Sequence, residues 1–266
     1  MSSQHILVTG AAGAVGRVVV RRLLEHGHRV RGFDRVPMSD LSDQVVANLT
    51  DQTAVTNAVR GMDALIHLAA TPDEAEFVSD LVPNNIVGPY YIYSAAHEAG
   101  VKRVIVASTI RVGQMHNWKQ KTVRVADGYA PHDAYSFTKA ACEVMGEMFA
   151  RRYDMTVIMA RIGWVVRNPN EAEQMASNKW GGEIALSQND AANFFAACVE
   201  NELHFPSALR FVSAYVTSRA TQQAAVDLSE ARDVIGWEPA DIWPAGSPWE
   251  QIVKDFKAKT AVNRGV

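Results

Sequence analysis

An α/β fold, with a doubly wound parallel sheet and a small C-terminal lobe, is what this 266-residue sequence predicts. Three observations carry the expectation. Short β-branched runs alternate with longer helical patterns, which implies parallel strands joined by crossover helices on both faces of a sheet. Segments such as Arg103-Val104-Ile105-Val106-Ala107 are apolar without clean alternation, the pattern of a strand covered on both faces. The first strand also runs directly into a glycine-rich turn and a helix.

The elements follow in order. The strand His5 to Thr9 precedes a helix from Val15 to Glu25, and Arg29 to Phe33 precedes a helix from Asp51 to Arg60. Ala64 to Leu68 leads to a helix from Asn85 to Ala99, and Arg103 to Ala107 leads through a long loop to a helix from Ala134 to Arg152. Thr156 to Ala160 closes the series, which is that of a Rossmann sheet. Beyond Ile162 the rhythm breaks at Pro169, Gly181, Gly182, Pro206, Pro239, Pro244 and Pro248. The chain therefore divides into residues 1–162, the Rossmann domain, and residues 163–266, a smaller substrate-side lobe whose late elements pack back on the core. In that lobe the sequence predicts a helix from Ala191 to Glu200 capped by Asn189 or Asp190, a strand near Arg210 to Ser213 and a helix near Ser229 to Ile235. The polar stretch from Lys254 is expected to fray.

Composition narrows the function classes. The chain is 48% hydrophobic and 21% charged, enough to bury a full core. Its formal charge of −3 with interspersed signs gives no basic stripe, so neither nucleic acid nor a membrane is an expected partner. The first strand begins almost at once, leaving no room for a signal peptide, and no apolar run reaches about 18 residues. A cytoplasmic protein is expected. Cys142 and Cys198 sit in apolar helical patterns without metal-type spacing, so they read as buried free thiols, and no metal site is expected.

The turn Thr9-Gly10-Ala11-Ala12-Gly13-Ala14-Val15-Gly16 has the spacing of a dinucleotide site. Gly10 turns the chain off the strand, Gly13 lets backbone approach a pyrophosphate, and Gly16 seats the helix close to the sheet. The helix N-terminus then offers N–H groups to phosphate. Asp34, eighteen residues after Gly16, ends the next strand, where a carboxylate accepts from adenosine ribose hydroxyls and repels a 2′-phosphate. The expected cofactor is NAD rather than NADP. Arg35 beside it is the counter-signal, since a guanidinium there accommodates that phosphate if Asp34 turns away.

In Asp133-Ala134-Tyr135-Ser136-Phe137-Thr138-Lys139, Tyr135 and Lys139 are four apart and share a helix face. An ammonium near a phenol favours the phenolate, which can take a proton from an alcohol while a nicotinamide takes hydride. Most Tyr-x-x-x-Lys pairs are surface or packing residues; behind a dinucleotide fold the pair becomes chemical. Ser108 and Thr109, after the strand from Arg103, can hold a substrate oxygen near that phenol, or can simply cap the next turn. Catalysis is assigned to Thr109 and support to Ser108.

Taken together the chain resembles the extended short-chain dehydrogenase/reductase family, that of the NAD-dependent epimerase/dehydratases. The resemblance rests on Thr9 to Gly16, His67-Leu68-Ala69-Ala70, Asn85-Ile86-Val87-Gly88, Ser108-Thr109 and Tyr135 to Lys139, and extends to Asp227 through Arg232 and Ile235-Gly236-Trp237-Glu238-Pro239. It implies Thr109, Tyr135 and Lys139 as the catalytic set, with Tyr135 the acid/base. The implied cofactor wall is Gly10, Ala12, Gly13, Ala14, Val15, Gly16, Asp34, Arg35, Asn48, Leu49, Leu68, Ala69, Ala70, Asn85, Tyr135, Lys139 and Ile162. Asn48 stands where the family has an acid for the adenine amino group; its amide oxygen can still accept.

The chain is short for nucleotide-sugar members and more closely resembles the branch of uronate dehydrogenase and related NAD-dependent aldose dehydrogenases, an impression supported by Arg161-Ile162-Gly163, Pro169-Asn170, Met175 and Trp180. The resemblance implies oxidation of a small sugar at the C1 hydroxyl to a lactone. An epimerase or dehydratase that retains its NAD, and a non-catalytic dinucleotide-binding regulator, are the alternatives. Implied substrate contacts are Thr71, Ser108, Thr109, Arg111, Trp164 and Gln174. Gln174 falls where uronate dehydrogenases carry the arginine for the uronate carboxylate, and an amide cannot form that bidentate pair. Arg111 either replaces the charge or is a solvated loop residue. Trp164 and Trp180 either stack on a sugar or belong to the core. Arg161 reads as a structural ion-pair or backbone donor, and His116 as a solvent-facing loop residue without a metal-binding partner. Residues 114–129 are a lid or a charged loop. Family members often dimerise through the helices after Asn85 and around Tyr135, so a homodimer is expected, with Ile92, Ala95, Ala141 and Met145 as apolar candidates.

Overall fold

The computed structural model describes residues 3–117 and 119–262. Seven parallel strands form one sheet in the order β3-β2-β1-β4-β5-β6-β7. They are β1 (His5–Thr9), β2 (Arg29–Asp34), β3 (Gln44–Val46), β4 (Ala64–His67), β5 (Arg103–Thr109), β6 (Thr156–Ile162) and β7 (Phe211–Val216). The helices are α1 (Ala14–Glu25), α2 (Gln52–Val59), α3 (Gly88–Glu98), α4 (Ala134–Tyr153), α5 (Pro169–Ser177), α6 (Gly181–Ile184), α7 (Gln188–Glu200), α8 (Ser229–Asp233) and α9 (Glu250–Val262).

Strand alternation sorts the side chains into two cores. Ile6, Val8, Ile66, Ile105 and Ile158 face α1 and α7, where Val19, Leu23, Phe194 and Phe195 meet them. Leu7, Leu65, Val104, Val106 and Val157 face the opposite layer, built from α2, α3 and α4 around Val55, Tyr93, Cys142 and Phe149. Both cysteines are buried and free, as expected.

The sequence-based boundaries hold for most elements and move for physical reasons. β5 and β6 each run two residues further, because pairing continues through Ser108 with Arg161 and Thr109 with Ile162. The helix expected from Asn85 begins at Gly88, after π-helical turns at Phe77–Leu81 and Pro83–Val87. Ser187, not Asn189 or Asp190, caps α7: its hydroxyl accepts from the Asp190 N–H at 2.9 Å. β3, α5 and α6 had no expectation at all, and α9 runs from Glu250 to Val262, into the stretch expected to fray, whose last four residues lie outside the described ones.

The segment after Ile162 is shared between layers. β7 completes the sheet and α7 packs on α1 in the main core. A satellite core of Val166, Ala172, Met175, Trp243 and Val253 holds α5 against α9 beside the strand ends. No helix among the described residues is long and apolar enough to cross a membrane.

Candidate active site

The carboxyl ends of the parallel strands open onto a single long cleft of about 1010 Å³, the crevice where ligands bind in open α/β sheets. At one end lie Gly10, Ala12, Gly13, Ala14, Val15 and Gly16, with Asp34 and Arg35 at the end of β2 and Asn48 and Leu49 beyond β3. Gly10 has φ +69°, and a Cβ there would stand 2.7 Å from the Ala69 nitrogen; one on Gly16 would stand 2.1 Å from the Gly10 oxygen. Gly13 caps α1, so the first-turn N–H groups of that helix are presented to the cleft. The Asp34 carboxylate accepts from the N–H groups of Ala12 at 3.0 Å and Val36 at 3.1 Å. A glycine cradle at a helix N-terminus with a fixed carboxylate at the next strand end suits a dinucleotide pyrophosphate and ribose. The Asn48 amide oxygen, considered for adenine, already accepts from the Thr50 N–H and hydroxyl, each at 3.1 Å.

Leu68, Ala69, Ala70, Thr109, Tyr135, Lys139 and Ile162 form the middle of the cleft. Thr109 ends β5, while Tyr135 and Lys139 rise from the first turns of α4, which is capped by the Asp133 carboxylate accepting from the Ser136 N–H at 2.7 Å. The Thr109 hydroxyl oxygen accepts from the Arg111 N–H at 3.3 Å, the turn-capping use, and Thr109 lines the cleft together with Tyr135. Lys139 is buried and donates to the Ala107 carbonyl at 2.9 Å, with its Nζ 6.0 Å from the centre of the Tyr135 ring.

The electrostatics differ from the simple Tyr-Lys picture. Burial pushes the Tyr135 phenol up to about 12; Asp73 adds to the rise, and Arg111 and Arg167 oppose it. Arg111 and Arg167 are thus leading cations that favour the phenolate here. Burial also lowers Lys139 from its usual range. His67, buried at the end of β4, is pushed down to about 3 by burial and then by Lys139, and its neutral Nδ1 lies 2.6 Å from the Thr9 hydroxyl.

Two expected contacts, Asn85 and Gln174, fall outside the cleft, and a third, Ser108, lines it with its hydroxyl proton engaged. Asn85 does not line the cleft; buried behind it, its amide accepts from the Thr71 N–H at 2.8 Å and donates to the Thr71 carbonyl at 3.1 Å and the Thr138 hydroxyl at 3.2 Å. It fixes the segment that carries Thr71. Gln174 is exposed on α5, outside the cleft, because Ala172 and Met175 take the inward face of that helix. Ser108 lines the cleft, but its hydroxyl donates to buried Glu143, leaving only its oxygen to accept. Glu143 in turn holds Arg161 bidentately at 2.9 to 3.1 Å and accepts from Ser213 at 2.9 Å, so Arg161 is the structural ion pair expected of it.

Thr71, Arg111 and Trp164 do line the far end, and Trp180 does not. Arg111 is bonded to Asp133 and stands 3.7 Å from Asp73. Sequence reasoning missed Asp73 and Arg167, which pair at 2.8 Å across the same end of the cleft. They lie in irregular segments far apart in the chain, where no spacing marks them. In the loop considered as a lid, Gln114 and Val123 border the cleft, and Val123 is tied by backbone hydrogen bonds to Ala225 and Asp227; Trp118 lies outside the described residues. His116 is only partly exposed and its ring faces the Gly128 carbonyl at 3.2 Å. Ile92 and Ala95 are buried in the chain's own core; the exposed apolar residues of α3 and α4 are Tyr90, Phe137, Val144 and Met148.

Known proteins similar to this chain include dehydrogenases. L-arabinose 1-dehydrogenase (NAD(P)(+)) of Haloferax volcanii is 31% identical over 253 residues, covering 89% of this chain and 96% of that protein. NAD-dependent glucose-6-phosphate dehydrogenase of the same organism is 29% identical over 262 residues, covering 90% and 94%. A solved structure described as a mutated uronate dehydrogenase superposes with a TM-score of 0.79 at 25% identity, over 96% of this chain and 86% of that one. The model of the NAD dependent epimerase/dehydratase family matches residues 6–177, which hold the glycine cradle, Thr109, Tyr135 and Lys139, and the chain belongs to that family.

Proposed function

We propose that this chain is an NAD-dependent dehydrogenase that oxidises a small sugar at its C1 hydroxyl to the lactone. The observation that carries the reading is the gathering of Thr109, Tyr135 and Lys139 in the middle of the cleft, with the glycine cradle at one end. The similarity to arabinose, glucose-6-phosphate and uronate dehydrogenases over most of their length supports the substrate class.

Gly13 and the first turn of α1 would hold the pyrophosphate, and Asp34 would accept from the adenosine ribose. Bound NAD supplies the hydride acceptor. Thr109 and Tyr135 together fix the C1 oxygen of the sugar, and Tyr135 as phenolate takes its proton. Arg111 and Arg167 favour that phenolate, while Lys139, anchored on the Ala107 carbonyl, presents positive charge to the cofactor side. The reaction removes hydride and proton from one carbon–oxygen unit, so no further reactant is required.

The test is NADH formation, followed by absorbance, across neutral aldoses, uronates and sugar phosphates. Stoichiometric reduction of added NAD is the expected result. Product without net reduction would instead identify a member that retains its cofactor, and NAD binding without turnover a regulator. A homodimer through α3 and α4 fits the exposed Tyr90, Phe137, Val144 and Met148, and light scattering measures it. The buried thiols of Cys142 and Cys198 suit a reducing, cytoplasmic setting.

A further inference from the structure

Arg111 and Arg167 line the end of the cleft beyond Tyr135 and at first sight form an anion subsite. Both are already paired with carboxylates of the chain itself. Arg111 is bonded to Asp133 through one terminal nitrogen and has Asp73 3.7 Å from the other. Arg167 reaches Asp73 at 2.8 Å and Glu171 at 2.8 to 2.9 Å. Three carboxylates thus meet two guanidinium groups, and Asp73 is the one they share. The remaining cations among the described lining residues are Arg35, at the opposite end, and Lys139, which is bonded to Ala107.

Asp73 is held in place for this position. Its neighbour Thr71 is clamped through both backbone groups by buried Asn85, and Thr71's hydroxyl donates to the Asp80 carbonyl at 3.3 Å and accepts from Asn84 at 2.9 Å. Asp73 itself takes φ +60°, a left-handed conformation that Asp and Asn tolerate better than other side chains.

We propose that Asp73 is a specificity-determining residue that occupies both guanidinium groups at the substrate end and turns the site toward neutral sugars, against uronates and sugar phosphates. An incoming carboxylate or phosphate competes with Asp73 for Arg167 and Arg111 and then stands beside it, a like-charge contact that disfavours it even though the half-exposed setting screens part of the repulsion. A neutral aldose meets no such competition, and Asp73 offers its hydroxyl groups an acceptor. The inference rests on the dehydrogenase reading and assigns the substrate class of that same site.

The test compares wild type with Asp73→Asn, which keeps the left-handed backbone and removes the charge. Values of kcat/KM for NADH formation are measured on matched pairs, galactose with galacturonate and glucose with glucuronate and glucose 6-phosphate. Wild type is expected to favour the neutral partner by roughly tenfold or more, and Asp73→Asn to raise the anionic-to-neutral ratio by a similar factor, less so in high salt. An anionic preference in wild type, or a ratio unmoved by the substitution, overturns the proposal. Calorimetric titration of the NADH-loaded protein with galactose and galacturonate reads the same ratio without turnover. Should no sugar be oxidised, the dehydrogenase reading fails, while tighter galacturonate binding by Asp73→Asn still supports the role of Asp73 and unchanged binding still refutes it.

Discussion

The ammonium of Lys139 stands 6.0 Å from the centre of the Tyr135 ring and donates its hydrogen bond not to that side chain but to the Ala107 carbonyl at 2.9 Å. The pair shares a helix face, as its spacing requires, and Asp73, Arg111 and Arg167 lead the charges that act on the phenol. Burial pushes the phenol up to about 12, so the protonated form dominates at neutral pH before ligands bind.

That value sets a pH dependence. The reactive form is the deprotonated one, so kcat/KM is expected to rise with pH through the neutral and mildly alkaline range. Removing the negative charge in Asp73→Asn favours the phenolate and moves the profile to lower pH, whereas Arg167→Gln removes a positive charge and moves it to higher pH. Profiles measured on one neutral aldose check both signs, and a flat profile or reversed shifts would contradict the assignment.

Asp34 is expected to set cofactor choice. Its carboxylate is fixed by Ala12 and Val36 where an adenosine ribose would lie, with Arg35 adjacent. Asp34→Ala should raise the NADP-to-NAD ratio of kcat/KM by roughly tenfold or more, by removing a repulsive charge and an acceptor together. Steady-state kinetics with the two cofactors decide it.

The Glu143–Arg161 pair lies directly under the site, with both side chains almost fully buried. Glu143→Ala leaves a guanidinium without its partner and should cost about 3–5 kcal/mol in denaturant unfolding. Replacing both residues, Glu143→Leu with Arg161→Met, should recover much of that loss, since the stranded charge is gone. Equal damage in single and double variants would show that packing, not charge, dominates there.

How far the sequence foretold this arrangement depends on the kind of signal each residue leaves. Gly10, Gly13, Gly16 and Asp34 were legible because a strand, a turn and a helix force them into fixed spacing, and Tyr135 and Lys139 because helix geometry puts residues four apart on one face. Ser187 as the cap of α7 was missed because Asn189 and Asp190, also capping types, follow it at once. Asn85 carries a family motif, but burial turned it to the backbone of Thr71 instead of the cleft. Gln174 was named only because it falls where the resemblance puts an arginine, and its place on the outward face of α5 decides its exposure. Asp73 and Arg167 meet only through the tertiary fold, between segments with no periodicity, and no local pattern announces them.

The most direct test of the account is Tyr135→Phe, which removes the phenol oxygen and keeps the ring. The account predicts that turnover of the best sugar falls by about 10²–10⁴-fold while NAD affinity, measured by calorimetry, stays within about threefold of wild type. Turnover near the wild-type value in that variant would contradict the assignment of Tyr135 as the acid/base and, with it, the mechanism.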